Sequence, residues 1–93
     1  MVLSEITLEV VKKYIGAKRE DDLTVQLYWD AAKAKVLSYT GLTLEQADKH
    51  ADITIAALAI TADMYIYRTG ADAALKNNPT ANDILAMHSR NYL

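Results

Sequence analysis

At 93 residues the chain has room for one hydrophobic core and no second one, because half that length would not bury enough surface to fold alone. Its 10 Lys and Arg against 12 Asp and Glu give a net charge of -2 with no long run of either sign, which excludes recruitment to DNA or an anionic membrane by charge alone. With Cys 0 and Gly 3, there is no disulfide frame, thiolate nucleophile, cysteine metal site or glycine-rich phosphate loop.

An apolar fraction of 52%, much of it alanine, favours helices in close contact, and no segment alternates with the period of a strand. The expected fold class is all-α: one helical domain over residues 1–93, with two long central helices and short N- and C-terminal ones. Met1 to Glu9 hold two acids and no basic run, so no signal peptide is expected there. The longest apolar stretch, Ile53 to Tyr67, contains Asp63 and falls short of the roughly 20 residues that cross a bilayer, so it reads as a buried helix.

In chain order, Thr7 is a good N-cap for a helix over Leu8 to Ile15, with Glu9 in its first turn and Gly16 placed to stop it. Its apolar side is Leu8, Val11, Tyr14 and Ile15. Lys18 to Asp22 reads as a surface loop. Asp21 or Asp22 then caps a second helix that continues to Tyr39 and is stopped by Thr40 and Gly41. At about 100° per residue this helix carries two apolar stripes. One is Val25, Tyr28, Ala32, Val36 and Tyr39 with Trp29 at its edge; the other is Leu23, Leu27, Ala31, Ala34 and Leu37.

Thr43-Leu44-Glu45-Gln46 has the spacing of a capping box. The third helix begins near Leu44 or after a break near His50, and is expected to run to Thr69 and stop at Gly70. It too is apolar on both sides: Ile53, Ala57, Ile60, Met64 and Tyr67 on one, Ile55, Leu58, Ala59, Ala62 and Ile66 on the other. Ala71 to Asn78 reads as a loop or frayed helix end, and Asn77-Asn78-Pro79-Thr80 punctuates the chain before a last helix from about Ala81 to Arg90.

Two helices that are apolar on both sides, with only short helices to cover them, leave more apolar surface than one small core absorbs. Such a surface on a water-soluble domain marks a partner, and self-association is the commonest partner. The Leu23, Leu27, Ala31 and Ala34 stripe is therefore the expected subunit contact, with Ala32 on the core side. Tyr65, Tyr67 and Arg68 form either a second candidate anchor, since aromatic residues and arginine concentrate at interface centres, or core tyrosines with a helix-end arginine.

The order of these pieces resembles the head-tail connector, or head-completion, proteins of tailed bacteriophages. The resemblance spans nearly the whole chain. It lies in Ile6-Thr7-Leu8-Glu9-Val10-Val11-Lys12-Lys13-Tyr14-Ile15, the acidic Asp21-Asp22-Leu23, and a long helix carrying Ala31-Ala32 and ending in Ser38-Tyr39-Thr40-Gly41. It continues in Asp63-Met64-Tyr65-Ile66-Tyr67-Arg68, similar to the family's Tyr-x-x-Arg ending, and in Asp83-Ile84-Leu85-Ala86-Met87. The closing Met87-His88-Ser89-Arg90 departs from the family's more typical Leu-x-x-Tyr-Arg. The resemblance implies a ring of identical subunits docked beneath the portal protein. Such a ring helps close the DNA-filled head, offers a surface to the next neck or tail protein, and lets DNA pass without reading its sequence. It also implies a virion location after assembly in the host cytoplasm, from a phage or a prophage, and no catalysis or cofactor.

Among other candidates, Lys12, Lys13, Lys18 and Arg19 form the one basic cluster and would be the residues to face DNA in a ring lumen. Against that stands the plainer reading of a solvated helix end balanced by Glu20, Asp21 and Asp22. Asp48, His50 and Asp52 are close in sequence, but on a continuous helix the aspartates share a face while His50 points away, so no metal site is expected. Ser4, Ser38 and Ser89 lack any triad context. Two alternatives to the connector are a helix-turn-helix DNA binder around the Tyr39 to Thr43 turn and a small helical adaptor unrelated to phage. The first is weakened by Ile53 to Ala62, which offers no Arg, Lys, Asn or Gln to read base edges.

Overall fold

The computed structural model describes residues 2–17 and 21–89, and these form an all-α fold. A 3-10 turn at Leu3–Glu5 precedes α1 (Leu8–Ile15), α2 (Asp22–Thr40), α3 (Leu44–Ala47), α4 (Ala51–Tyr67), α5 (Ala71–Lys76) and α6 (Pro79–His88). Local chemistry sets most of these ends. Thr7 caps α1 by accepting a bond from the Val10 N–H at 3.3 Å. Gly16 and Gly41 close α1 and α2 in the left-handed region, at φ 70 and 73, where a side chain would be strained. The capping box forms in full: Thr43 Oγ1 accepts from the Gln46 N–H at 3.2 Å and Gln46 Oε1 accepts from the Thr43 N–H at 3.0 Å.

That box starts α3, not the long helix. α3 stops after Ala47, where the Asp48 carboxylate accepts bonds from the backbone N–H and hydroxyl of Ser4, tying the first turn of the chain to the α3–α4 corner. α4 restarts after an extended His50. It also ends earlier than the sequence suggests: Arg68, not Gly70, takes the left-handed position, at φ 54. Gly70, freed of that task, precedes α5 in an ordinary extended conformation. α5 is a separate short helix where a loop or frayed helix end is expected, with Ala74 and Leu75 buried and Asp72 ion-paired to Lys35 of α2 at 2.6 Å.

α2 and α4 run antiparallel, joined by residues 41–50, and α1, α5 and α6 each touch both of them. The core is Val11 of α1, Val25, Trp29, Ala32 and Val36 of α2, Ile53, Ala57, Leu58, Ile60 and Met64 of α4, Leu75 of α5, and Ala81 and Leu85 of α6. Trp29 thus lies within the core rather than at its margin, whereas Tyr14 stays exposed, contrary to the apolar side drawn for the first helix. Two buried hydroxyls on these helices bond back along the chain: Thr40 Oγ1 donates to Val36 O and Thr61 Oγ1 to Ala57 O, each at 2.8 Å.

α6 begins at Pro79 rather than Ala81, with Asn78 as its cap. Asn78 Oδ1 accepts from the Ala81 N–H at 3.0 Å while Nδ2 donates to Asp63 of α4 at 2.9 Å, so one side chain both starts the helix and fixes it to the core. Asn78→Ala is expected to lower the unfolding free energy by about 1–2 kcal/mol, read by urea titration. Asn78→Asp keeps a cap acceptor but sets a carboxylate against Asp63, and is expected to recover only part of the loss.

Candidate functional site

The sequence offers two apolar stripes on α2, and the fold separates them cleanly. Val25, Ala32 and Val36 are wholly buried, and Tyr28 and Tyr39 are half-buried. On the other side Leu23 and Leu27 are 74% and 59% exposed, with Ala31 and Ala34 exposed beside them and only Leu37 half-covered. α4 behaves differently. On the side expected to be surplus, Leu58 is buried and Ala59 and Ala62 are half-buried, because α1, α5 and α6 close around this helix, while Ile55 and Ile66 stay exposed. Exposed apolar surface therefore lies on the outward side of α2, at Ile55, Ile66 and Tyr67 of α4, and at Met87 of α6.

Tyr65, Tyr67 and Arg68 part company. The Tyr65 hydroxyl donates to the Asp21 carboxylate, and the Arg68 guanidinium stacks over the Tyr65 ring at 4.6 Å and approaches the same carboxylate at 4.0 Å. These two residues form a clasp within the chain, from the end of α4 to the start of α2. Asp21 makes no side-chain capping bond and serves this clasp instead. Tyr67, 70% exposed, is left facing outward. The clasp sets the start of α2 beside the end of α4, so Leu23 and Leu27 lie at the same pole of the molecule as Ile66 and Tyr67.

Of the basic cluster, Lys18 and Arg19 lie outside the described residues. Lys12 folds over to Asp22, with Nζ 2.6 Å from Oδ1 and its side chain largely covered, while Lys13 is exposed. Lys12 is thus paired with a neighbouring acid but is covered rather than solvated.

The acid and histidine cluster is rearranged by the break between α3 and α4. Asp48 is taken up by Ser4. His50, no longer on a continuous helix, turns to the end of α6, where its ring lies 4.4 Å from that of His88 at an interplanar angle of 40°. His88 Nε2 stands 2.9 and 3.1 Å from the two oxygens of Asp52. Burial works to raise the Asp52 carboxyl, but the bond and charge of His88, with the N–H groups at the start of α4, outweigh it and hold the carboxyl below its usual range. His88 is the residue that sequence spacing could not supply, since only the packing of α6 on α4 brings it here.

No helix is long and apolar enough to cross a membrane among the described residues. Comparison with protein-family models, with curated proteins and with solved structures finds no match to this chain.

Proposed function

We propose that this chain is a structural subunit that assembles with copies of itself into a ring, and that the ring is a head-tail connector of a tailed phage or prophage. The subunit is built on α2 and α4 as its central pair, with the short helices closing the rest of the core. The observation that carries self-assembly is the outward stripe of α2: Leu23 and Leu27 exposed, with the small Ala31 and Ala34 continuing the same side and Ile66 and Tyr67 at the same pole. Leucines this exposed on a short chain are stabilised by a partner surface. Small residues along the stripe let a facing helix approach closely.

The connector reading adds the ordered motifs from Ile6-Thr7-Leu8-Glu9 to Asp63-Met64-Tyr65-Ile66-Tyr67-Arg68. It implies the portal and neck proteins as neighbours and DNA passing through the ring. The protein works by occupying its place, without substrate or cofactor. A helix-turn-helix reading is disfavoured because the helix that would enter the major groove, α4, is the one the others cover.

The test is the mass of the pure protein in solution, by size-exclusion chromatography with light scattering across a wide concentration range. A closed oligomer of fixed subunit number is expected. A strict monomer at every concentration overturns self-assembly. The connector assignment is tested separately by mass spectrometry of purified virions from a host that encodes the chain, and its absence from complete particles overturns that assignment.

A further inference from the structure

We infer that His50, Asp52 and His88 form a binding site for a divalent first-row transition metal, with Zn²⁺ as the representative ion. The inference stands apart from the proposed assembly and uses none of its residues.

Each ligand is held by a different local device. His50 occupies the N-cap position of α4 in extended backbone, and its carbonyl accepts the Ile53 N–H at 3.1 Å while its side chain makes no capping bond. The ring is therefore not committed to the helix end. Asp52 sits in the first turn of α4. His88 is the last residue of α6, and Ser89 after it donates to Tyr39 O at 3.3 Å, which holds this end of the helix against α2.

One donor atom from each of the three side chains lies within 4.8 Å of the others. Zinc bonds imidazole nitrogen and carboxylate oxygen at about 2.0–2.2 Å, which sets the donors of a tetrahedral ion roughly 3.3–3.5 Å apart. His88 and Asp52 are already at 2.9 Å, so His50 is the ligand that must move, by about 1.5 Å at most, within reach of a side-chain rotation at a half-buried position. The metal would take the place of the direct contact between His88 and Asp52.

The donor types select the ion. Two imidazoles and one carboxylate suit Zn²⁺, Co²⁺, Ni²⁺ or Cu²⁺, whereas Mg²⁺ and Ca²⁺ prefer all-oxygen sites. Three protein donors leave at least one position for water. Because His88 and Asp52 are 36 residues apart, the ion would fasten the end of α6 to the start of α4 and raise thermal stability by mass action.

The experiment is calorimetric titration of the tag-free full chain with ZnCl₂ in a non-chelating buffer, paired with Co²⁺ absorption and with melting curves with and without Zn²⁺. One ion per chain, intense visible Co²⁺ bands and a raised Tm are expected. His50→Gln and His88→Gln should each weaken binding at least about tenfold, while Asp83→Asn, on the exposed side of α6, should leave it unchanged. His50→Gln is the safer variant, because its ring carries no capping bond whose loss would loosen the fold. Binding no tighter than that of the His50→Gln/His88→Gln double variant, or no binding at all, overturns the site.

Discussion

A glutamate at Ala32 is expected to abolish the folded chain, while a glutamate at Ala31, one residue earlier on the same helix, is expected to leave it folded. The two substitutions have the same helix propensity cost and the same charge, so they differ only in where α2 points them. Ala32 has no exposed surface and lies in the core that α2 shares with α4. A carboxylate there has no cation within the core to pair with, and its volume forces α2 off its neighbours. The two penalties together are expected to exceed roughly 4 kcal/mol. That approaches the lower end of the about 5–15 kcal/mol by which native domains are stable, where a small single-core chain is expected to lie. Ala31 is exposed, and its replacement should change unfolding by no more than about 0.5 kcal/mol. Far-UV circular dichroism and urea titration of both variants decide the matter. A folded Ala32→Glu chain would mean that the α2–α4 contact is not where the core is.

The second large effect concerns assembly. Leu27→Glu is expected to reduce the oligomer to monomers while the monomer keeps its helicity. Leu27 is 59% exposed in the single chain, so a charge there is solvated and costs the fold little. In an interface, the same charge is desolvated and faces the apolar side chains of the next subunit. Loss of a hot-spot contact costs about 2 kcal/mol or more, which is roughly a thirtyfold weaker dissociation constant at each contact. In a ring every subunit carries the defect, so the losses repeat around the circle. Light scattering over a dilution series reads the effect directly. An unchanged oligomer mass for both Leu27→Glu and Leu23→Glu would place the contact elsewhere, among surfaces such as Ile55 or Met87.

What the sequence revealed follows the range of the interactions involved. Thr7 with Gly16, and Thr43 with Gln46, act on backbone groups within one turn, so their roles are legible from spacing alone. The two stripes of α2 are legible for a related reason, since both recur at helical spacing, but which of them is core is set by the packing that buries Val25, Ala32 and Val36. α5 is not legible. Six residues do not form a stable helix by propensity, and this one is held by Leu75 in the core and by the Lys35 to Asp72 pair. From sequence α4 therefore looks over-apolar, because the segment that helps cover it reads as a loop or frayed helix end. The end of α4 was misplaced since glycine is the usual left-handed residue; Arg68 adopts that conformation while stacking on Tyr65. His88 beside Asp52 lay furthest beyond reach, because nothing local relates positions so far apart in the chain.

Ser4 is bonded to Asp48, and Ser89 to Tyr39. Both outermost tethers therefore converge on the corner where α2 gives way to α4, while Leu23, Leu27 and Tyr67 sit near the opposite tip of a molecule 41 Å long. The corner is thus fastened from outside by two separate side-chain bonds, so it should loosen locally when either is lost while the leucine-bearing tip keeps its packing, a difference that amide hydrogen exchange of Ser4→Ala would read.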